Sequence, residues 1–306
     1  MRENRKIYFH IGAHKTASSF LQANLRTCQS ALSQAGLDVV LRQEILNTPF
    51  AKELGEVAHG TRDPDTMSPR SKRNLGEILS RRKGDILITN EDLVSSLNIQ
   101  DFYQNIGAAA RYIRDALPNF DVFFILYTRT QADYLESVYM QYVHLGRKLK
   151  FEQFMKRTEN VDFSWLRVVK DLASVVPQER ILIRPFERIR QAGSDDFFRE
   201  FLSLCGIQDT EKFEAQKETS TGRVANRSYG ELGMKIARQV NPMLNEQERK
   251  LLRRFLQEHF STATHPRAAL LGSEARADIF ETYAASNQTL FEKYDLGGPG
   301  NGLGYY

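Results

Sequence analysis

Short runs of apolar residues alternate with longer segments in which apolar positions recur every three or four residues. Five of the short runs predict β-strands, at 7–11, 37–41, 85–89, 121–128 and 181–183. Helical spacing predicts helices at 18–35, 101–116, 131–145, 163–175, 195–205, 229–240, 245–260 and 274–293. Alternating strands and helices indicate a parallel sheet, and the continuously apolar segment 121–128 is typical of a central strand. The predicted fold class is α/β, with a parallel β-sheet, helices on both of its faces and a helical C-terminal part.

The remaining segments complete a prediction of one domain that spans residues 1–306. Residues 42–83 form a polar excursion, interrupted by prolines and glycines, for which short helical pieces and mobile loops are expected. Residues 229–294 form the helical C-terminal subregion. The glycine-rich residues 297–306 are expected to be a flexible tail.

Composition narrows the class of protein only slightly. A net charge of +4 is small for a chain with 80 Lys, Arg, Asp and Glu residues, so no nucleic-acid partner is predicted. Two cysteines, Cys28 and Cys205, indicate neither a disulfide framework nor a metal site, and fit buried thiols in a reducing compartment. No apolar run is long enough for a secretory signal or a membrane span, so the expected location is the cytoplasm.

Candidate functional residues follow three of the predicted strands. Gly12, the segment 90–92 and Arg129 each come directly after one of them. In parallel sheets, ligands bind at the carboxyl ends of the strands. The sequence therefore predicts that these residues share one site.

The segment after the first strand predicts an anion-binding loop. It brings a glycine, a lysine and three hydroxyl residues to the start of an amphipathic helix: Gly12, Lys15, Thr16, Ser18 and Ser19. Glycine permits a sharp turn or a close approach to a ligand. The first N–H groups of the helix and its dipole favour an anion, and a lysine suits phosphate or sulfate oxygens. A phosphate-bearing ligand is the leading hypothesis, and an ordinary strand–turn–helix with a capped helix start is the alternative.

The loop is not a Walker A motif, because His14 precedes Lys15 and Gly12 lies only three residues before the lysine. It resembles the 5′-phosphosulfate-binding loop of sulfotransferases that use 3′-phosphoadenosine-5′-phosphosulfate (PAPS). The likeness is greatest to their bacterial, carbohydrate-type branch, in which the loop is roughly H-I-G-x-H-K-T-G-T-T-x-L-Q. The matching residues are His10, Ile11, Gly12, His14, Lys15, Thr16, Leu21 and Gln22, whereas Ala17 replaces a glycine and Ser18 and Ser19 replace threonines. The resemblance implies a P-loop NTPase-like fold, PAPS as co-substrate and no metal.

A second anion motif follows the fourth strand. Arg129 has a forked set of donors that suits a phosphate dianion, and the Ser137 hydroxyl eight residues later can complete the cradle. Arg129, Asp133, Ser137 and Tyr139 match the R-x-x-x-D-x-x-x-S-x-Y motif that binds the 3′-phosphate in the same family. Arg129 and Ser137 are therefore predicted to bind this phosphate.

Two weaker matches complete the resemblance. Residues 181–187 are similar to the strand and P-[FY]-E turn that follow the second phosphate motif. Residues 222–228 are similar to a late loop that closes over the nucleotide, which makes Arg223, Asn226 and Arg227 further candidate ligands. The two arginines fit a solvated loop equally well.

The resemblance implies in-line transfer of a sulfuryl group from PAPS to a hydroxyl or amine. Lys15 stabilises the negative charge that develops on the leaving group. The candidate general bases are Glu91, Asp92, His14 and His144, and Glu91 is preferred because it follows a buried strand at the carboxyl edge of the sheet. His14 also flanks the loop lysine and is a candidate cofactor ligand, together with Ala17. His10 is expected to be a packed core histidine.

The acceptor is expected to be a carbohydrate or glycolipid, by analogy with the bacterial branch. The basic stretch from Arg70 to Lys83 can meet an anionic glycan or simply be solvated. Two other functions stay open. One is a P-loop kinase that uses ATP, for which Asp92 is the nearest candidate Mg²⁺ ligand. The other is a non-catalytic protein that binds adenosine 3′,5′-bisphosphate.

Overall fold

The computed structural model describes residues 4–215 and 228–306. Its strands are β1 (Arg5–His10), β2 (Leu37–Val40), β3 (Asp85–Thr89), β4 (Phe120–Thr128) and β5 (Ile181–Pro185). Its helices are α1 (Ser18–Gln34), α2 (Arg42–Ile45), α3 (Pro49–Ala58), α4 (Pro69–Ser80), α5 (Ile106–Ala116), α6 (Gln131–His144), α7 (Phe151–Lys156), α8 (Trp165–Ala173), α9 (Ile189–Leu204), α10 (Glu231–Val240), α11 (Glu246–His259) and α12 (Ser273–Lys293).

The five strands form one parallel sheet in the order β2-β3-β1-β4-β5, with helices around it. β1 is central, and its Phe9 pairs with Ile88 of β3 and Phe124 of β4. Such strands are continuously apolar because both of their faces are covered. The predicted α/β class, a parallel β-sheet with helices around it, is confirmed. The order also places the ends of β1, β3 and β4 next to one another.

Residue contacts divide the chain into two compact units. The sheet unit comprises Met1–Thr130, Asp162–Ala215 and Tyr283–Tyr306, and the helical unit comprises Gln131–Val161 and Gln216–Thr282. The expectation of a single domain over residues 1–306 stays a prediction. Within the described residues, no helix combines the length and the apolar character that a membrane crossing requires.

The core of the sheet unit contains one face of α1. Leu21, Leu25 and Leu32 are fully buried in a cluster with Phe197 and Phe201 of α9. Burial of such side chains contributes roughly 1.5–3 kcal/mol each. α1 ends at Gln34 with Ala35 as its C-cap, and Gly36 follows with a φ of 91°. The helical period of the leucines therefore identified the buried face of α1 correctly.

In the helical unit, α6 supplies the buried aromatic side chains. The ring of Tyr139 lies 5.0 Å from that of Phe151 and 5.4 Å from that of Phe154. Glu136 is 1% exposed, and its carboxylate accepts hydrogen bonds from the backbone N–H groups of Leu270 and Leu271 and from Arg276. These donors satisfy a carboxylate that would otherwise be costly to bury.

The region 42–83 is more regular than the sequence predicts. Pro49 and Pro69 are the first residues of α3 and α4, and the side chains of Thr48 and Ser68 cap these helices. Proline suits the first helical position because its fixed φ matches the helix and no N–H is needed there. The sequence predicts that these prolines interrupt structure, whereas both begin helices. α5 is shorter than predicted because a turn with a left-handed Tyr103 precedes it.

The prediction of a flexible tail is wrong for the last residues of the chain, around Tyr305. Tyr305 is 1% exposed, its ring lies 5.1 Å from that of Phe291, and its carbonyl accepts a hydrogen bond from Asn287. Burial of the aromatic ring offsets the entropy lost when the glycine-rich chain becomes ordered.

Candidate functional site

The predicted anion loop connects β1 to α1 and is bound to the neighbouring strand β4. The N–H of Ala13 donates to the Tyr127 carbonyl over 2.9 Å, and the Tyr127 N–H donates to the Gly12 carbonyl over 2.6 Å. Gly12 has a φ of 101°, and a side chain there would lie 3.2 Å from Glu91 Cβ and from the Tyr103 hydroxyl. Only glycine combines this backbone conformation with such close neighbours.

The turn into α1 contains two left-handed residues that are not glycine. Lys15 has a φ of 66° and Ala17 a φ of 64°. An L-residue with a side chain adopts this conformation at a cost of roughly 1–2 kcal/mol. Position 17, where the sulfotransferase motif that this loop resembles has glycine, therefore has a backbone conformation that glycine would adopt more easily.

The hydroxyl groups of the loop have different roles. Thr16 Oγ1 donates to the Ala13 carbonyl over 2.6 Å and so closes the loop, and its role as a phosphate donor stays a prediction. Ser18 is 5% exposed, and within residues 4–215 and 228–306 no group forms a hydrogen bond with its Oγ. Ser19 is exposed. A buried hydroxyl at a helix start fits a ligand that accepts hydrogen bonds.

The first turn of α1 also favours an anion. Its N-cap residue, Ala17, makes no side-chain capping bond, and the first turn contains no acidic residue. Its backbone N–H groups therefore face the loop without a capping oxygen, at the positive end of a 17-residue helix. This arrangement suits phosphate or sulfate.

Arg129 joins the second motif to the first. One Nη1–H of its guanidinium donates to the Lys15 carbonyl over 2.6 Å. The guanidinium lies 5.1 Å from the centre of the Phe186 ring, and the side chain is 6% exposed. The Trp165 indole N–H donates to the Arg129 carbonyl over 2.7 Å, which fixes the backbone at the end of β4. Arg129 thus meets the loop that contains Lys15 at the carboxyl end of the sheet, although the two residues lie far apart in sequence.

A buried carboxylate supports the turn that carries Arg129. Glu187 accepts hydrogen bonds from the Thr130 N–H and from the Tyr305 hydroxyl, each over 2.9 Å. The same hydroxyl lies 2.9 Å from Thr128 Oγ1. Burial raises the pKa of the Glu187 carboxyl, although these hydrogen bonds and the Arg129 charge oppose the rise. Sequence reasoning noted Glu187 only as part of the P-[FY]-E turn and missed Tyr305, for which the terminal aromatic pair was the only signal.

Glu91, the preferred general base, lies beside the loop. Gln22 of α1 donates from Nε2 to Glu91 Oε2 over 2.7 Å, and the carboxylate is partly exposed. Glu91 therefore has a fixed orientation next to Gly12 and access to solvent. Gln22 itself was noted in the sequence only as part of the loop motif.

The other base candidates have different surroundings. Asp92 forms an ion pair with Arg42, and its Oδ1 lies 3.8 Å from Nε2 of the buried His14. The same His14 nitrogen lies 3.4 Å from the Ser95 carbonyl. His14 thus borders the site, whereas the carboxylate of Asp92 is occupied by an arginine.

Two further histidines have packing roles. His10 is fully buried with its Nδ1 3.0 Å from Thr89 Oγ1, and burial lowers its pKa to about 3. It is a neutral core histidine, as predicted. His144 belongs to the helical unit, where its ring lies 3.9 Å from that of Tyr229.

The remaining predicted ligands belong to the helical unit or fall outside the described residues. Ser137 is buried on α6 in the helical unit, one turn after Asp133, which forms an ion pair with Arg276. Arg223, Asn226 and Arg227 lie outside the described residues. Within the described ranges, no group of three or more His, Cys, Asp and Glu side chains is arranged to hold a metal.

Comparison with known proteins shows similarity to solved structures. No protein-family model matches the chain, and no curated protein does so. The fold is similar to the crystal structure of a sulfotransferase from Alicyclobacillus acidocaldarius, with 15% sequence identity and a TM-score of 0.46. The match covers 81% of this chain and 100% of the other.

Proposed function

We propose that this protein is a PAPS-dependent sulfotransferase that acts on a hydroxyl or amine of a carbohydrate or glycolipid. The observation that carries the proposal is the hydrogen bond between Arg129 and the Lys15 carbonyl. PAPS has a 5′-phosphosulfate and a 3′-phosphate, so it needs two cationic groups at adjacent positions. Lys15 and Arg129 supply them at the ends of neighbouring strands.

The loop residues are assigned to the 5′-phosphosulfate. The first N–H groups of α1, the Ser18 hydroxyl and the Lys15 ammonium are suitable donors for its oxygens. Arg129 is assigned to the 3′-phosphate. Ser137 remains a proposed ligand of that phosphate on the strength of its sequence motif alone.

In the proposed reaction, an acceptor oxygen or nitrogen forms a bond to sulfur while the bond from sulfur to the phosphate-bridging oxygen breaks. The bridging oxygen leaves with the bonding electron pair as part of adenosine 3′,5′-bisphosphate. Lys15 stabilises the charge that develops there. Glu91 accepts the proton of the acceptor group, and Gln22 holds the carboxylate in position for this.

Calorimetric titration with adenosine 3′,5′-bisphosphate tests the proposal, with ATP and Mg²⁺ in a parallel titration. We expect selective binding of the bisphosphate, weakened about 10- to 100-fold in Arg129→Ala, because a charged hydrogen-bond donor to phosphate is lost. The matched control is Arg180→Ala, which removes an arginine that pairs with Asp121 in the same unit. Thermal melting of both variants checks that they are folded.

Preference for ATP with Mg²⁺ would overturn the proposal in favour of a kinase. Binding of neither nucleotide by the folded protein would also overturn it. If the bisphosphate binds tightly but PAPS gives no transfer to any carbohydrate, glycolipid or amine acceptor, the protein is a nucleotide-binding protein and the enzymatic part is wrong.

A further inference from the structure

The turn that precedes α5 contains a strained tyrosine beside the anion loop. Tyr103 has a φ of 47° and is fully buried. A left-handed backbone is unfavourable for a residue with a large side chain, and it persists only where the surrounding structure enforces it. Residues of this kind are concentrated at functional sites, so the contacts that hold Tyr103 indicate what the turn does.

The Tyr103 hydroxyl is bound to the residue that precedes Gly12. It donates to the Ile11 carbonyl over 3.1 Å, and it lies 3.2 Å from the position that a Cβ atom of Gly12 would occupy. Ile11 is fully buried, so loss of the hydroxyl would deprive a buried carbonyl of this donor. The side chain of Tyr103 therefore fixes the point at which β1 continues into the Gly12–Ser19 loop.

Arg167 of α8 holds the backbone of the same turn. Its Nη2 donates to the Phe102 carbonyl over 2.8 Å, and its Nη1 donates to the Tyr103 carbonyl over 3.2 Å. The guanidinium is itself held by Asp171, one helical turn later, whose carboxylate accepts from Nη1 over 3.2 Å. A planar group with several fixed donors suits two successive carbonyls. These bonds hold Tyr103 in its strained conformation.

The same helix also holds the second anion motif. Trp165, two residues before Arg167, is the single tryptophan of the chain and is fully buried. Its indole N–H donates to the Arg129 carbonyl over 2.7 Å, while the Arg129 guanidinium donates to the Lys15 carbonyl. Hydrogen bonds therefore connect α8 to the loop through the turn of Tyr103, and to Arg129 through Trp165.

Ring packing joins these two connections. The ring of Phe102 lies 5.3 Å from that of Tyr103 and 4.9 Å from that of Trp165, and the last two rings are 6.1 Å apart. Such separations, in tilted or edge-to-face arrangements, are those that aromatic side chains prefer in protein cores. The aromatic cluster consists of Phe102, Tyr103 and Trp165. Because a packed core has little free volume, a shift of one of these rings displaces the others.

We propose that Tyr103 and Trp165 are positioning residues, which hold the anion loop and Arg129 in a fixed arrangement before any ligand binds. Tyr103 acts through the backbone of Ile11 and Gly12, and Trp165 acts through the backbone of Arg129. This role rests on the proposed function, because PAPS has two anionic groups that need matched sites. A ligand of this kind binds more tightly when its two sites are already arranged, since less conformational entropy is lost on binding.

A double-mutant cycle with adenosine 3′,5′-bisphosphate tests the role of Trp165. Trp165→Phe keeps an aromatic ring but removes the donor to the Arg129 carbonyl. It should weaken binding about 3- to 10-fold, the range expected for one hydrogen bond. In the Arg129→Ala background the same change should weaken binding less than about twofold, because its effect requires the Arg129 side chain. Equal losses in the two backgrounds would overturn the role of Trp165, since they would indicate a general loss of structure.

Tyr103→Phe tests the other end of the aromatic cluster, because it removes one oxygen and keeps the ring. It should also weaken binding of the bisphosphate about 3- to 10-fold. The matched control is Tyr112→Phe, which removes a buried hydroxyl of the same unit that donates to Glu53 over 2.8 Å. The control should lower the melting temperature and leave the affinity unchanged. Equal affinities of Tyr103→Phe and Tyr112→Phe would overturn the role of Tyr103.

Thermal melting shows which variants are folded. If Trp165→Phe does not fold, the comparison of Tyr103→Phe with Tyr112→Phe decides the proposal by itself. Calorimetric titration gives the affinities of all folded variants.

The outcomes separate the positioning role from the proposed function. If the wild type binds the bisphosphate and neither Trp165→Phe nor Tyr103→Phe changes the affinity, the positioning role is wrong and the sulfotransferase proposal is unaffected. If the wild type prefers ATP with Mg²⁺, sulfuryl transfer is wrong, and the same cycle with ATP tests the positioning role. Binding of neither nucleotide would overturn both proposals, because the two anion motifs would then bind no ligand with two anionic groups.

Discussion

In the sheet unit, hydrogen bonds hold Thr16, Arg129 and Glu91 around the Gly12–Ser19 loop, and none of the described large apolar side chains is substantially exposed. In the helical unit, by contrast, Met243, Leu251 and Phe255 are exposed beside Lys250 and Arg254. Buried polar groups with fixed positions suit a small anion that must be bound in one orientation. Exposed apolar side chains among cations suit contact with an extended partner surface rather than with a small ligand. The contrast therefore predicts that equivalent substitutions in the two units affect different measurements.

Loss of the loop lysine should have the largest effect. Lys15→Ala is expected to lower PAPS-dependent turnover at least about 10²- to 10³-fold, because the charge that stabilises the leaving group is lost. Lys250→Ala removes an exposed lysine from the helical unit and should leave turnover with a soluble acceptor unchanged. Both variants are measured by transfer of labelled sulfate. Near wild-type turnover in a folded Lys15→Ala protein would contradict the role of the loop.

The candidate base gives the next largest effect. Glu91→Gln keeps the shape of the side chain and an oxygen that accepts from Gln22, but it cannot take up the acceptor proton. Turnover should fall about 10²-fold or more while affinity for adenosine 3′,5′-bisphosphate stays nearly constant. Glu258→Gln, at an exposed position of α11, is the control and should change neither quantity. Unaltered turnover in Glu91→Gln would leave His14 as the next candidate.

A smaller effect is expected from loss of the Tyr305 hydroxyl, which donates to Glu187 in support of the turn that carries Arg129. Tyr305→Phe removes the donor to Glu187 and should lower the free energy of unfolding by about 1–2 kcal/mol, because a buried carboxylate loses a partner. Denaturant titration measures this change. Tyr294→Phe, at a partly exposed position of the same unit, should cost much less. Equal losses in the two variants would exclude a specific role for the Tyr305–Glu187 contact.

The Tyr305–Glu187 contact also predicts how the free energy of unfolding depends on pH. Burial raises the pKa of Glu187 in the native state above its ordinary value of 4.5. At a pH between the ordinary and the raised pKa, the native state therefore binds more protons than the unfolded state. Glu187 therefore destabilises the protein increasingly as the pH rises through this range. The Glu187 contribution should be larger in Tyr305→Phe, since a bond to the ionised form is lost, and Glu187→Gln should lack it. The opposite slope from buried His10, whose pKa is lowered to about 3, remains in all variants, so the measured quantity is the difference in slope from the wild type. Equal slopes in the wild type and Glu187→Gln would contradict the raised pKa of Glu187.

The smallest effect concerns the loop backbone. Ala17→Gly should raise the free energy of unfolding by up to about 1 kcal/mol, because the left-handed conformation of residue 17 suits glycine. On the same helix, Ala23 is exposed and helical, and Ala23→Gly should lower stability by about 1 kcal/mol. A higher free energy of unfolding in Ala17→Gly together with a lower one in Ala23→Gly would support the left-handed conformation of residue 17. A lower free energy of unfolding in both variants would contradict it.

Most of the elements could be predicted because their signals are local. The spacing of Leu21, Leu25 and Leu32 follows from the number of residues in each helical turn. The continuously apolar segment 121–128 follows from burial of both faces of a strand. Errors arose where a local signal has two meanings. Pro49 and Pro69 begin helices rather than interrupt them, and the glycines of the tail do not prevent Tyr305 from being buried.

By itself, the sequence determined the α/β class and the order of the elements, and it predicted two motifs that bind anions, because periodicity and motif spacing are properties of neighbouring residues. The tertiary structure alone decided that Arg129 reaches the Lys15 carbonyl and that Gln22 holds Glu91. It also decided that α11 buries Leu256 while it exposes Leu251 and Phe255. The physical reason is that burial and hydrogen bonding between distant segments depend on which elements pack together, and an amphipathic pattern does not specify its partner.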